Sequence, residues 1–102
     1  EENVVEKVQN FTRRIENAMF QLEKRGIDTV EANALLDAYK NHLQLAKDEL
    51  DAAREQFAAG NVTEGRNHVR ASHRHVVEAH SELKGVVREI RNAIKEARRL
   101  AQ

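Results

Sequence analysis

The chain has no cysteine, no proline and no tryptophan, and its only aromatic side chains are Phe11, Phe20, Tyr39 and Phe57. Without cysteine there is no disulfide, no thiolate metal ligand and no cysteine nucleophile. Without proline, and with only four glycines, the turn chemistry of an all-β fold is missing. The shortage of aromatics makes any core an aliphatic one. Net charge is also lacking, because 17 basic residues meet 17 acidic ones. General nucleic-acid binding normally needs a cationic excess, so it is not expected. No apolar run reaches the roughly 18 residues of a membrane span. An initiator methionine is absent too. The opening Glu1-Glu2-Asn3 points to a removed leader or to a domain excised from a longer protein.

What remains is a helical composition. Hydrophobic residues make up 40% of the 102 and charged ones 33%, enough for one domain with one core. Three stretches carry apolar residues at alternating steps of four and three, which places them on one face of a helix. The first spans about 3–25, with Val4, Val8, Phe11, Ile15, Ala18 and Leu22, and ends at Gly26. The second spans about 29–59, with Ala32, Leu36, Tyr39, Leu43, Ala46, Leu50, Ala53 and Phe57. Asp28-Thr29-Val30-Glu31 reads as a capping box with Asp28 at the N-cap, and Gly60 ends the helix. The third spans about 62–101 behind an Asn61 cap. Its strip is Val62, Arg66, Val69, His73, Val76, His80, Leu83, Val87, Ile90, Ile94, Ala97 and Ala101. Both connections are short, so successive helices are antiparallel neighbours. The expected fold is all-α: an up-down-up three-helix bundle with coiled-coil-like packing and a long third helix. Gly85 falls opposite the strip and marks a bend, a close contact or a tolerated surface glycine.

Charge divides by helix. Residues 28–59 carry seven acids and three bases, whereas residues 60–102 carry nine bases and five acids. Arg70, Arg74, Lys84, Arg88, Arg91, Lys95 and Arg98 run beside the third strip. The first reading is a basic helix paired with an acidic one. The second is a surface that binds acidic protein, lipid headgroups or nucleic acid, the last disfavoured by the lack of aromatic platforms for bases. Helix three also outruns helix two near Arg91 or Asn92. Its final stretch, with Ile94, Ala97 and Leu100 flanked by Arg91 and Arg98, either covers the first turn or projects as a site for a protein partner or self-association.

Histidine is the one residue type that could carry chemistry. A chelating pair on one helix needs a spacing of three or four. None of His42, His68, His73, His75 and His80 is so spaced from another. Mixed pairs do occur, Glu64 with His68 and His75 with Glu78, as they often do on charged helices. A site would therefore lie between helices. Counting outward from Gly60 sets His80 level with Tyr39–Leu43, so His42, His80 and Tyr39 are the candidate layer. It is read first as a hydrogen-bonded polar layer and alternatively as a zinc or copper site. Imidazoles buried in the strip at His73 and His80 would make the fold sensitive to acid.

Two resemblances follow from particular residues. His80-Ser81-Glu82-Leu83-Lys84-Gly85 is similar to the His-x-Leu-Lys-Gly motif of histidine phosphotransfer domains. Leucine, lysine and glycine each come one residue late, which turns lysine and glycine about 100° from their places around an exposed histidine. Phosphotransfer is therefore not expected. The punctuation Gly26-Ile27-Asp28-Thr29 and Ala59-Gly60-Asn61, with charged helices between, resembles helical domains of archaeal exported and cell-surface proteins. That resemblance implies an extracytoplasmic structural or interaction module. Two sequons, Asn10-Phe11-Thr12 and Asn61-Val62-Thr63, agree with export. The expected function is a non-enzymatic spacer, scaffold or protein-interaction module without a cofactor. The alternative is a small bundle binding zinc or copper through interhelical histidines.

Overall fold

A computed structural model describes the backbone of residues 2–101 and the side chains of residue 7 and residues 9–101. It contains α1 (Glu2–Lys24), α2 (Val30–Ala58) and α3 (Val62–Ala101), and no strand among the described residues. The molecule is a rod of 64 × 21 × 14 Å. No described helix is long and apolar enough to cross a membrane.

The ends of α1 and α2 are set by Gly26 and Gly60, at φ 80° and 85°. The amide of Ile27 donates to the Leu22 carbonyl and that of Gly26 to Glu23; Asn61 and Gly60 repeat the pattern on Gln56 and Phe57. These paired bonds close each helix and need a residue that tolerates left-handed backbone. The start of α2 departs from the expected capping box. The helix begins at Val30, and the preceding Thr29 makes no side-chain cap bond. Asp28 Oδ1 instead accepts from the Val30 amide at 2.9 Å. Buried Thr29 turns toward α1, donating to Glu23 Oε1 at 2.8 Å, while Asn33 Nδ2 donates to the same oxygen at 3.1 Å. The capping residue has been recruited to hold two helices together.

Lys40 pairs with Glu16, and Ser72 Oγ donates to the Ala46 carbonyl at 2.8 Å. Both contacts lie where short turns bring antiparallel neighbours level with each other. Stepping seven residues each way from Ala46 and Ser72 gives Ala53 with Gly65, Tyr39 with Ala79, and Ala32 with Val86, all buried. Every such level has at least one small side chain, so α2 and α3 approach closely. At Gly65 an added Cβ would lie 2.5 Å from the Phe57 ring, and at Gly85 one would lie 3.0 Å from Leu35. The close-contact reading of Gly85 is therefore the one observed, and α3 runs through it unbroken.

This packing corrects the expected strip of α3. The residues facing α2 are Gly65, Ser72, Ala79 and Val86, one position away from the aliphatic strip. His73 and His80, expected inside, are exposed. Val62, Val69 and Val76 are 48%, 43% and 45% exposed. Small side chains win the α2 side because they allow more backbone-to-backbone contact per turn than valine does. The aliphatic strip is used only farther along, where Leu83 and Ile90 join the core of Ile15, Met19, Leu36, Tyr39 and Val86. Val4 and Val8, expected to extend that core, lie outside the described side chains. Nor does the basic stripe pair with acidic α2: among the described residues none of its seven cations makes an ion pair with α2. The charges that do join α2 to α3 involve histidines.

Candidate metal centre

The registry that sets Ala46 against Ser72 carries His42 to His75, one turn along each helix. Their rings stack with centroids 5.9 Å apart and planes 28° apart. Glu78 and Glu82 follow His75 on α3 at i+3 and i+7, so all three point to the same side. Glu78 Oε2 lies 2.7 Å from His42 Nε2, and Glu82 Oε1 lies 2.5 Å from His42 Nδ1. A neutral imidazole donates only one hydrogen bond. With a carboxylate at each nitrogen, the surroundings of His42 favour its protonated form. The Glu82 hydrogen bond, and then the charges of Glu82 and Glu78, raise its pKa above the usual histidine value, against a partial burial that lowers it.

At His42 that direction is opposite to the one expected of a desolvated histidine. A raised folded-state pKa contributes stability below the unfolded value of about 6.5, and the contribution is lost as pH rises through the folded value. His73 and His80, on whose burial the expected acid sensitivity rested, are exposed.

His75 completes the group. Its Nδ1 is shut off from solvent and meets no hydrogen-bond partner. A buried polar nitrogen without a partner is uncommon and is destabilising. One donor atom from each of His42, His75 and Glu78 lies within 4.8 Å of the others. A tetrahedral zinc with bonds of about 2.0–2.1 Å sets its donors about 3.3 Å apart, so these side chains need only draw inward. Imidazole and carboxylate donors suit zinc and copper(II). The Glu78 side chain is 59% exposed, which gives an ion a path in, while Glu82 at 20% is positioned to orient His42.

Of the expected layer of His42, His80 and Tyr39, the structure sets His42 beside His75, Glu78 and Glu82. His80 stands on an exposed flank near Phe11 and Leu83. Tyr39 is 5% exposed and belongs to the apolar core. The pair His75 and Glu78 is visible in the sequence, but its place beside His42 is not, and Glu82 is not singled out there. Their signal was the seven-residue repeat of small residues, Gly65, Ser72 and Ala79, which shares its face with His75. A second bridge of the same kind lies one heptad away, with His68 Nδ1 2.6 Å from Glu49 Oε2. Of the expected contact residues, Ile94 and Ala97 are half-buried beside Ala18, Leu22 and Arg25. Arg91 and Arg98 are exposed, and Leu100 is 74% exposed. Comparison with known protein families, with curated proteins and with solved structures returns no match.

Proposed function

We propose that this chain is a non-enzymatic helical module that binds a divalent transition metal, zinc or copper(II), between α2 and α3. His42, His75 and Glu78 supply the donors, and Glu82 orients His42. The observation that carries this reading is the convergence of donor atoms of His42, His75 and Glu78 within 4.8 Å of one another, next to a His75 ring whose buried Nδ1 has no hydrogen-bond partner. A hydrogen-bonded polar layer would account for His42 and its two acids, but it gives that nitrogen nothing to do. Binding would replace the His42 proton by the ion and join the two long helices at mid-length, so the ion would act as a removable staple. Both sequon asparagines, Asn10 and Asn61, are exposed, which suits an exported chain.

The test is thermal melting with zinc sulfate or copper sulfate, alongside calorimetric titration. An ion at 100 times its Kd adds about 2.7 kcal/mol, a rise of roughly 10 °C or more in Tm for a domain of this size. His42→Ala and His75→Ala should each abolish the rise, a chelator should reverse it, and His73→Ala should keep it. A rise of the same size in the His75→Ala protein, or no rise with either metal, would refute the proposal.

A further inference from the structure

A separate feature lies on the other side of α3. Where α1 runs beside the second half of that helix, two open depressions follow one another, of about 590 Å³ and 430 Å³. The first is floored by Phe11, Leu83 and Val87, and the second by Leu22, Ile94 and Ala97. Their polar rim is one-sided. Lys84, Arg88, Arg91 and Lys95 border the first, and Arg25 and Arg98 the second. Among the described residues no carboxylate lines either depression, in a chain whose opposite charges balance. None of the six cations makes an ion pair among the described residues. The five on α3 recur at steps of four, three, four and three, which sets them in a single line along the helix. From His80 to Ala101 the trough is about 32 Å long by helix rise.

We infer that this trough binds an acidic amphipathic α-helix of a partner protein, laid along α1 and α3 as the fourth member of the bundle. An apolar floor at helical spacing takes one face of such a helix, as peptide-binding grooves commonly do. The cation row meets carboxylates repeating with the same period. The shape selects this occupant over an anionic membrane, because a concave trough wraps a rod and touches a flat bilayer only at its edges. The shortage of aromatic platforms disfavours single-stranded nucleic acid. This site is independent of the histidine cluster.

The probe is a fluorescein-labelled synthetic 21-residue peptide, with leucines at four-three spacing and glutamates on the flanks. A scrambled peptide of identical composition is the control. The patterned peptide should bind with a Kd in the micromolar range, at least tenfold tighter than the scrambled one, and should weaken steeply from low to high salt. Arg88→Glu with Arg91→Glu should weaken binding at least tenfold with the melting curve unchanged. If that pair disturbs melting, Lys84→Glu with Lys95→Glu takes its place. Equal binding of the two peptides, or charge reversal without effect, would overturn the inference. So would phosphatidylglycerol vesicles or an oligonucleotide capturing the protein when the patterned peptide does not.

Discussion

Gly65 shows how a single missing side chain can set a helix interface. The Phe57 ring occupies the space that a Cβ at residue 65 would need, 2.5 Å from its nearest atom. Phe57 is itself 44% exposed, so the ring could swing away, but only by giving up its contact with α3. Alanine is favoured over glycine inside a helix by up to about 1 kcal/mol. Gly65→Ala should therefore bring no net stability in the wild-type chain, because the propensity gain is offset by displacing the ring. In a Phe57→Ala background the same change should stabilise by up to about 1 kcal/mol. Urea denaturation of the four proteins in the cycle measures the coupling. Simple additivity would show that the ring does not depend on that empty space. Ser72 works by the same rule: its hydroxyl is short enough to fit against α2 and reaches the Ala46 carbonyl at 2.8 Å.

Between elements, the α1–α2 junction is held by one carboxylate. Glu23 accepts from Thr29 and from Asn33, two residues on the far side of the turn. The Thr29 bond first, and the Asn33 bond after it, lower the Glu23 pKa below the usual glutamate value of 4.5. A depressed folded-state pKa contributes stability above the unfolded value, and that contribution is lost as pH falls through the folded value. Tm should therefore drop as pH goes from about 5 to 3, and Glu23→Gln should show a smaller drop over that window. The comparison is made by melting both proteins at intervals across it. Identical acid limbs would show that the bridge makes no contribution. The opposite sign applies at His42, so the two junctions respond to different halves of the pH scale.

At the scale of the whole molecule, α2 and α3 form a closely packed hairpin on which α1 lies. The apolar burial of α1 is concentrated in Ile15, Met19 and Leu22, at 6%, 2% and 7% exposed. Phe20, its neighbour on the outer face, is 53% exposed, with Lys24 above its ring at 5.3 Å. Met19→Ala should destabilise the bundle by about 2–5 kcal/mol, the usual range for a buried large-to-small change. Phe20→Ala should cost under about 1 kcal/mol. Chemical denaturation of both variants checks this, and comparable losses would mean that α1 is not seated as described. Val62, Val69 and Val76 of α3 stay half exposed.

Helix number, helix limits and the glycine stops were legible from the sequence because they depend on local physics. Four-three periodicity needs only the geometry of one helix, and Gly26 and Gly60 need only a left-handed backbone. His42 was recognisable as an interhelical histidine for the same reason. Which face of α3 meets α2 is a different kind of question. Two strips one residue apart competed, one of valines and one of small residues. Hydrophobicity alone chose the valines. Close approach chose Gly65, Ser72, Ala79 and Val86 instead, because two helices packing side by side gain most where both can come near. That rotation of about 100° decided everything downstream. It removed His73 and His80 from the interior, brought His75, Glu78 and Glu82 to His42, and left a row of cations beside α1 without an ion pair among the described residues. The periodicity was written into each helix separately, whereas the rotation exists only once two helices are in contact.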